Sequence, residues 1–452
     1  LCDDLGYGDL ACYGHPSIRT PNLDRLAAEG IRFTDCYAAS AVCSASRAGL
    51  LTGRTPNRTG IYDWIPSGHI AHLKSEESTI PELLKTAGYD TAHVGKWHLN
   101  GRFNTSDTPQ PGDHGFDHWF ATQNNAAPGH ENPKNFVRNG DGVGPLEGYS
   151  CQITVDEGLR WVKGRENPEK PFYLQVWFHE PHEPVRSPAA MAQAYLDRGE
   201  AENMNQAQYF ANVENLDAAV GSLVGSLDEM GMGRNTLIFF TSDNGPETLS
   251  RYRGAGRSYG TPGPLRGMKL HIYEGGIRVA GIARWTGRIK PGQVLNTPVS
   301  AVDLLPTFCE LAGIKARQAR PIDGASIVPL LEGRSMPPRR TPLFWWYYRA
   351  LTPPKVALRE GDWKVVAHLD IPNMREAHQS VGRNVNAESQ RLLKKAKPVR
   401  FELYNLRKDM EEKHDLAAKH AKLLELLKTG LMNVFNSVQT EAPVWETGSY
   451  GL

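Results

Sequence analysis

The chain has 452 residues, 51 of them basic and 50 acidic, for a net charge of +1, a balance that excludes nucleic acid or a membrane surface as a partner held by bulk charge. Apolar residues make up 40% and no run approaches the ~18 residues of a membrane span, so a globular chain is expected. Its length suits one large α/β domain with a smaller one appended.

The six cysteines, Cys2, Cys12, Cys36, Cys43, Cys151 and Cys309, have neither CxxC nor zinc-like spacing and suggest no disulfide framework. Leu1-Cys2-Asp3-Asp4-Leu5-Gly6-Tyr7-Gly8 reads as a strand end running into a glycine-rich turn. Ligands of open α/β sheets gather at the carboxyl ends of strands, so Asp3 and Asp4 either hold a hard cation or form a polar turn. There is no starting methionine, and a preceding piece carrying an export signal is expected to be missing from this sequence. Residues 21–30 fit a helix closed by glycine. Residues 40–54 put Cys43 at the mouth of a short helix, beside unpaired N–H groups and the positive end of a dipole, with Arg47 one turn on along the same face. Nucleophile and cation would then converge; the plainer reading is a buried cysteine and a surface arginine.

Residues 78–88 fit a helix starting near Pro81. In the run 88–98, Lys96 and His98 are two residues apart, so extended chain shows both on one face, and His93 is assigned a structural role. Residues 101–149, rich in Gly, Pro, Asn and His, read as a long substrate-facing loop with His114, His118, Asn124, Asn125, His130 and Glu131 as loose candidates. A helix over 151–164 precedes a buried strand over 171–178, which delivers His179-Glu180-Pro181-His182-Glu183-Pro184. The prolines forbid the helix of an HExxH zinc site.

Apolar residues at three- and four-residue steps give an amphipathic helix over 206–231. A strand over 236–241 ends in Ser242-Asp243-Asn244-Gly245, a tight turn by itself. Arg266-Gly267-Met268-Lys269 and the run 273–279 follow, and Asp303 opens another helix. Residues 335–342 mark a boundary by composition. Beyond it, 343–349, 355–359, 362–368 and 401–404 read as short strands, with a helix over 413–427 across their face. Trp345, Trp346, Tyr347, Tyr348 and Arg349 are either a stacking surface for a sugar or strand packing. Residues 439–452 receive no assignment.

Cys43-Ser44-Ala45-Ser46-Arg47, followed by Leu50-Leu51-Thr52-Gly53-Arg54, resembles the signature of the sulfatase family, and 88–98 resembles its second signature. Further runs in the family's order extend the resemblance along about the whole chain. It implies an alkaline-phosphatase-like α/β fold with a large central mixed sheet flanked by helices. The catalytic domain would be 1–334, with a linker at 335–342 and a C-terminal α+β subdomain of antiparallel strands and a helix at 343–452.

The implied activity is hydrolysis of a sulfuric ester in a sulfated carbohydrate or an aryl sulfate. Cys43 would be oxidised to formylglycine by a maturation enzyme, and a Ca2+ ion, with Mg2+ as the alternative, would be held by Asp3, Asp4, Asp243, Asn244 and residue 43. Lys96 and Lys269 would grip the sulfate while Arg47 adds fixed charge. His98 would take the proton of the second hydroxyl of the formylglycine hydrate, and His182, with Lys269, would protonate the departing oxygen. His179 would line the pocket, beside Lys96, His182 and Lys269 as substrate contacts. Location would be periplasmic or secreted. Two departures from the family pattern are Ala45 and Ala280, each where proline is common. The first bears on how efficiently Cys43 is converted; the second predicts a local structural difference. The competing readings are a phosphate or phosphonate ester hydrolase of the same superfamily and, should Cys43 stay unconverted, a non-catalytic binder of sulfated glycans.

Overall fold

The structure is a computed structural model that describes residues 1–316, 320–348, 353–371 and 387–445; Arg349 and residues 446–452 of the unassigned tail lie outside the described residues. In chain order the strands are β1 (Ile31–Tyr37), β2 (Asp90–Lys96), β3 (His118–Thr122), β4 (Val137–Arg138), β5 (Asp141–Gly142), β6 (Phe172–Trp177), β7 (Ile238–Thr241), β8 (Arg278–Arg284), β9 (Gln293–Leu295), β10 (Val299–Ser300), β11 (Leu343–Tyr347), β12 (Lys355–Glu360), β13 (Trp363–Leu369) and β14 (Pro398–Asn405).

β2 is buried at every residue after Asp90, as a strand covered on both faces must be. It pairs in parallel with β3 and β6, and the order of this sheet is β5-β4-β3-β2-β6. A second sheet has the order β10-β1-β8-β7, with β9 also on β1, and mixes parallel and antiparallel pairs.

Residues 1–4 join the two. On one side the Leu1 nitrogen donates to Val176 O at 2.8 Å, Phe178 N to Leu1 O at 2.8 Å and Asp3 N to Glu180 O at 3.0 Å. On the other, Cys2 N donates to Thr241 O at 2.9 Å and Asp243 N to Cys2 O at 3.0 Å. The result is the mixed α/β sheet that the sequence implied, with residues 1–4 as its central seam.

Helices cover both faces. Ser150–Lys163 and Met204–Glu229 share one apolar cluster with Cys2, Phe178, Phe240 and Ile282. Cys43–Thr52 and Leu304–Leu311 share another with Trp97, Trp177 and the C-terminal sheet. Trp177 and Phe178 fall in different clusters because successive side chains of a strand point to opposite faces.

β11 to β14 form a wholly antiparallel sheet. The helix expected over 413–427 is instead Ala421–Glu441, packed on β12 and β13. Asp409 accepts from Lys413 N and His414 N, and Asp415 from Leu403 N and Ala417 N, which holds the preceding stretch in turns. Leu427, Leu431, Phe435 and Val438 then form the buried stripe. The long loop expected over 101–149 contains β3, a five-residue strand too short to show periodicity.

Buried charges also bind the small sheet to the large one. Arg359 Nη2 pairs with Asp35 Oδ2 at 2.6 Å, and Lys364 Nζ with Glu274 Oε1 and Glu412 Oε1, both at 2.9 Å. Lys364, Glu274 and Glu412 are all buried. Removing one partner of such a cluster strands the others without a counter-charge. Lys364→Met is therefore expected to lower the unfolding free energy by about 3–5 kcal/mol, read as a fall in the urea midpoint. Adding Glu412→Gln should recover part of the loss.

Candidate active site

The functional side chains sit where buried strands give out. Asp4 turns the chain at the end of the seam with φ of 65°, a left-handed value that a residue other than glycine holds only under constraint. Asp9 fixes this turn, its Oδ2 accepting from Gly6 N and from Tyr209 OH, each at 2.7 Å. One strand over, β7 runs into Asp243 and Asn244, and the two strand ends meet. Asp4 N donates to Asp243 Oδ1 at 3.2 Å, and Asn244 Nδ2 donates to Asp4 Oδ1 at 2.7 Å. Gly245 is required by the close approach, since a Cβ there would stand 1.9 Å from Gly275 O.

Cys43 is the first residue of its helix, buried, and within electrostatic reach of Lys96, Lys269, Asp3 and Asp243. Burial pushes its thiol up to about 11 against the pull of the two lysines, so the sulfur stays protonated at neutral pH and is a poor nucleophile as it stands. Arg47 is fully buried and donates Nε and Nη2 to Asp243 Oδ2 at 3.0 and 2.8 Å, and Nη1 to Lys96 O at 3.1 Å. Its charge is thus engaged with a carboxylate rather than presented to an open pocket.

Lys96 Nζ donates to Asp3 Oδ2 and, at 3.3 Å, to Asn125 Oδ1. Lys269 Nζ donates to Asp4 Oδ2 at 2.8 Å. Lys96 ends β2, where Gly95, at φ of 106°, lets the strand pass 1.9 Å from Trp177 O, measured from where a Cβ would stand.

His98 departs from the expected extended geometry. Its φ of 57° breaks the pleat after Lys96, so the shared face that two-residue spacing predicts is replaced by a turn. Its Nε2 pairs with Ile65 O at 3.0 Å, while Nδ1 is buried without a partner. Since Ile65 O can only accept, Nε2 carries the hydrogen and Nδ1 the lone pair. Burial, then Lys96, holds the ring well below its usual value.

His182 pairs through Nδ1 with Glu183 O at 2.6 Å and turns Nε2 to Asp4 Oδ2 at 3.5 Å. Burial and then Lys269 hold it down to about 3. His179 is 1% exposed, edge-on to Phe136, with Nε2 on Thr122 Oγ1 at 2.8 Å; it stands behind Lys96 as part of the wall.

Among the loose candidates, Asn125 reaches Lys96. His118 instead pairs with Glu157 at 3.1 Å, His130 is buried against Asn212, and His114 lies 5.8 Å from the Trp97 ring, centroid to centroid. Glu131 bonds Tyr149 at the surface; Asn124 accepts through its backbone from Thr122 Oγ1. Sequence reasoning missed Ile65, whose carbonyl holds His98 and whose N–H donates to Ser44 Oγ at 3.0 Å. A backbone contact leaves no signal in residue type.

Three carboxylates crowd this dry site. Asp3 lies well below its usual range, burial acting upward but Lys96 overcoming it; burial raises Asp4 to about 6 and, reinforced by Asp3, raises Asp243 to about 7. Asp3 Oδ1 and Asn244 Oδ1 are buried oxygens with no hydrogen-bond donor. Asp3, Asp4 and His182 offer ligand atoms within 4.8 Å of one another. Orphaned oxygens beside close carboxylates form a donor set that fits a hard divalent cation, Ca2+ or Mg2+.

In the ion-free protein, Asp4 and Asp243 keep protons that they would lose in the unfolded chain near pH 4. Their contribution to stability therefore falls as pH rises from there to about 7. A cation displaces those protons, so the rise in Tm on adding Ca2+ is expected to be larger at pH 8 than at pH 5, measured by calorimetry.

Alkaline-phosphatase-like architecture with paired lysines and a hard-cation donor set around a helix start defines a hydrolase of anionic esters. The chain belongs to the sulfatase family, hydrolases of sulfate esters: the Sulfatase family model matches residues 1–314, and the model described as N-sulphoglucosamine sulphohydrolase, C-terminal, matches 268–381. N-acetylgalactosamine-6-sulfatase of Sus scrofa is 38% identical over 378 residues, covering 78% of this chain and 68% of that protein. Arylsulfatase A of Homo sapiens is 35% identical over 443 residues, covering 92% and 82%. Among solved structures, Ps i-CgsB in complex with k-i-k-neocarrahexaose aligns with a TM-score of 0.80 at 27% identity, covering 98% of this chain and 92% of that one.

Proposed function

We propose that this sulfatase removes sulfate from a sulfated carbohydrate, with formylglycine at residue 43 and Ca2+ or Mg2+ held by Asp3, Asp4, Asp243, Asn244 and residue 43. The observation that carries the reading is the pair of orphaned oxygens, Asp3 Oδ1 and Asn244 Oδ1, among carboxylates beside a cysteine too well buried to ionise. The carbohydrate assignment is supported by the names of relatives that act on or bind sugars. An exported, periplasmic or secreted, enzyme matured by a formylglycine-generating partner is part of the same proposal, as is the division into 1–334 and 343–452 across a linker. No helix among the described residues is long and apolar enough to cross a membrane.

When bound, the cation supplies a Lewis acid for a sulfate oxygen and favours ionisation of a hydroxyl beside it. Formylglycine at residue 43, hydrated, would supply a geminal diol, one hydroxyl as nucleophile and the other for release. Lys96 and Lys269 neutralise the oxygens on which charge gathers. Arg47 keeps Asp243 aimed. His98 Nδ1, a buried lone pair, would accept the proton of the second hydroxyl, whose loss would let the sulfate go. Lys269 and His182 protonate the departing sugar oxygen. Lys269 is held well above its usual value, burial opposing but Asp4 prevailing, and so carries that proton in the free enzyme, while His182, its own hydrogen on Nδ1 toward Glu183 O, relays it to the oxygen through Nε2.

Phosphate or phosphonate hydrolysis in the same fold is the weaker alternative, because a two-metal site wants more acidic ligands than this cluster offers. Turnover of 4-nitrophenyl sulfate and 4-nitrophenyl phosphate by the same preparation tests it; preference for the phosphate would overturn the reading. Hydrazide labelling of the tryptic peptide carrying residue 43 tests conversion, and an unlabelled, inactive protein would support the glycan-binder reading.

A further inference from the structure

The loop that carries His182 also carries Arg186, and the chain beyond Asn244 returns to bring Arg257 beside it. Both guanidiniums turn to one acceptor. Arg186 Nη1 donates to Val185 O at 2.9 Å, and Arg257 Nη1 donates to the same oxygen at 2.7 Å. Like charges brought this close repel. The carboxylate of Glu183, in the same loop, accepts instead from two backbone groups, Arg257 N and Val185 N. Among the described residues neither guanidinium closes an ion pair.

Arg257 is fixed further by Nε on Asn205 Oδ1 at 3.3 Å. Arg186 is exposed, with its stem across Gly129, where a Cβ would stand 3.0 Å from Arg186 Cγ. Tyr252 lies within electrostatic reach of both Lys269 and Glu183 and is 38% exposed; Leu249, on the same loop, is 41% exposed. Two forks without a closed ion pair thus stand in and beside the loop that carries His182, with Glu183 acting on Arg257 from a distance and Tyr252, one face of whose ring lies under Arg251, close to that carboxylate; a planar fork suits a carboxylate or sulfate better than a point charge does.

We propose that Arg186 and Arg257 form a second anion subsite, which holds a carboxylate or a further sulfate on the sugar next to the scissile ester while that sugar lies against Tyr252. The subsite rests on the sulfatase reading above and gives it a substrate class: an oligosaccharide with a second negative charge outside the reacting group. Binding energy from that remote contact fixes the leaving group for reaction.

The test follows 4-nitrophenyl sulfate hydrolysis by the matured enzyme with four competitors: a neutral disaccharide, a uronate-containing disaccharide, a sulfated disaccharide and inorganic sulfate. The wild type should be inhibited more strongly by at least one charged disaccharide than by the neutral one, less so at high salt, and the better of the two identifies the anion. In Arg186→Gln and Arg257→Gln the inhibition constant of that disaccharide should rise tenfold or more. The constant for inorganic sulfate, which reads the primary site, should rise far less.

Equal weakening of disaccharide and inorganic sulfate, or none in Arg186→Gln, whose exposed side chain can be replaced without disturbing a core, overturns the subsite. Absence of aryl sulfate turnover by the wild type overturns the sulfatase reading alone. Calorimetric titration of the same disaccharides into wild type and Arg186→Gln then still decides the subsite.

Discussion

Cys43→Ser is expected to lower turnover of any sulfate ester by about 10^4- to 10^6-fold, measured as steady-state kcat on an aryl sulfate and on a sulfated sugar. The substitution keeps the size of the side chain at a position that is buried at the start of the helix, so the fold should hold. What changes is the number of oxygens. Serine offers one hydroxyl for attack and nothing whose loss of a proton releases the group again. A single slow event per molecule, ending in a sulfated serine visible by mass spectrometry, is the expected outcome. Cys43→Ala should show no such adduct. Sustained turnover by the serine variant would mean that release needs no second hydroxyl, and the role of formylglycine would have to be abandoned.

His182→Ala is expected to cost about 10^2- to 10^4-fold on a sugar sulfate, the range of a lost general acid, and much less on 4-nitrophenyl sulfate. Glu183 O can only accept, so Nδ1 carries the ring hydrogen, and Nε2, 3.5 Å from Asp4 Oδ2, is the nitrogen left to pass on a proton received from Lys269, which donates to the same carboxylate. A nitrophenolate leaves without a proton, whereas a sugar alkoxide does not. The contrast is a slope: kcat/KM plotted against leaving-group pKa should be steeper in the variant. Parallel lines with equal losses would remove His182 from proton delivery and leave it a support for Asp4.

Much of this site could be read from residue order because its parts stand at the ends of runs with clear periodicity. Asp243 and Asn244 follow an apolar strand, His182 follows another, and the glycines at 95 and 245 mark close passages that only a missing side chain allows. Recognition of the sulfatase signatures supplied what spacing could not, since no count of residues brings Asp4 within hydrogen-bond distance of Asn244. β3 escaped because five residues give too few alternations to stand out from a Gly-, Pro- and Asn-rich background. The C-terminal helix was misplaced by eight residues at its start because Asp409 and Asp415 hold turns through side-chain bonds that resemble helical spacing in sequence. Ala280, expected to mark a local difference, lies beside the bulge where the pairing of β1 with β8 slips between Phe33 and Cys36. Such a bulge tolerates the missing N–H that a proline would bring. Arg47, read as fixed charge for the transition state, also holds Asp243 through Nε and Nη2, a contact that its residue type alone does not announce.

The seam at residues 1–4 makes cohesion and ion affinity two views of one equilibrium. The same four residues that zip β6 to β7 present Asp3 and Asp4, so any opening of the zip would scatter the ligands proposed above, and an ion held there would draw the zip shut. Chelation should therefore loosen the molecule along a line rather than at a point. Amide hydrogens of β6 and β7, on opposite flanks of the join, would then exchange faster together while those of β13 stay slow.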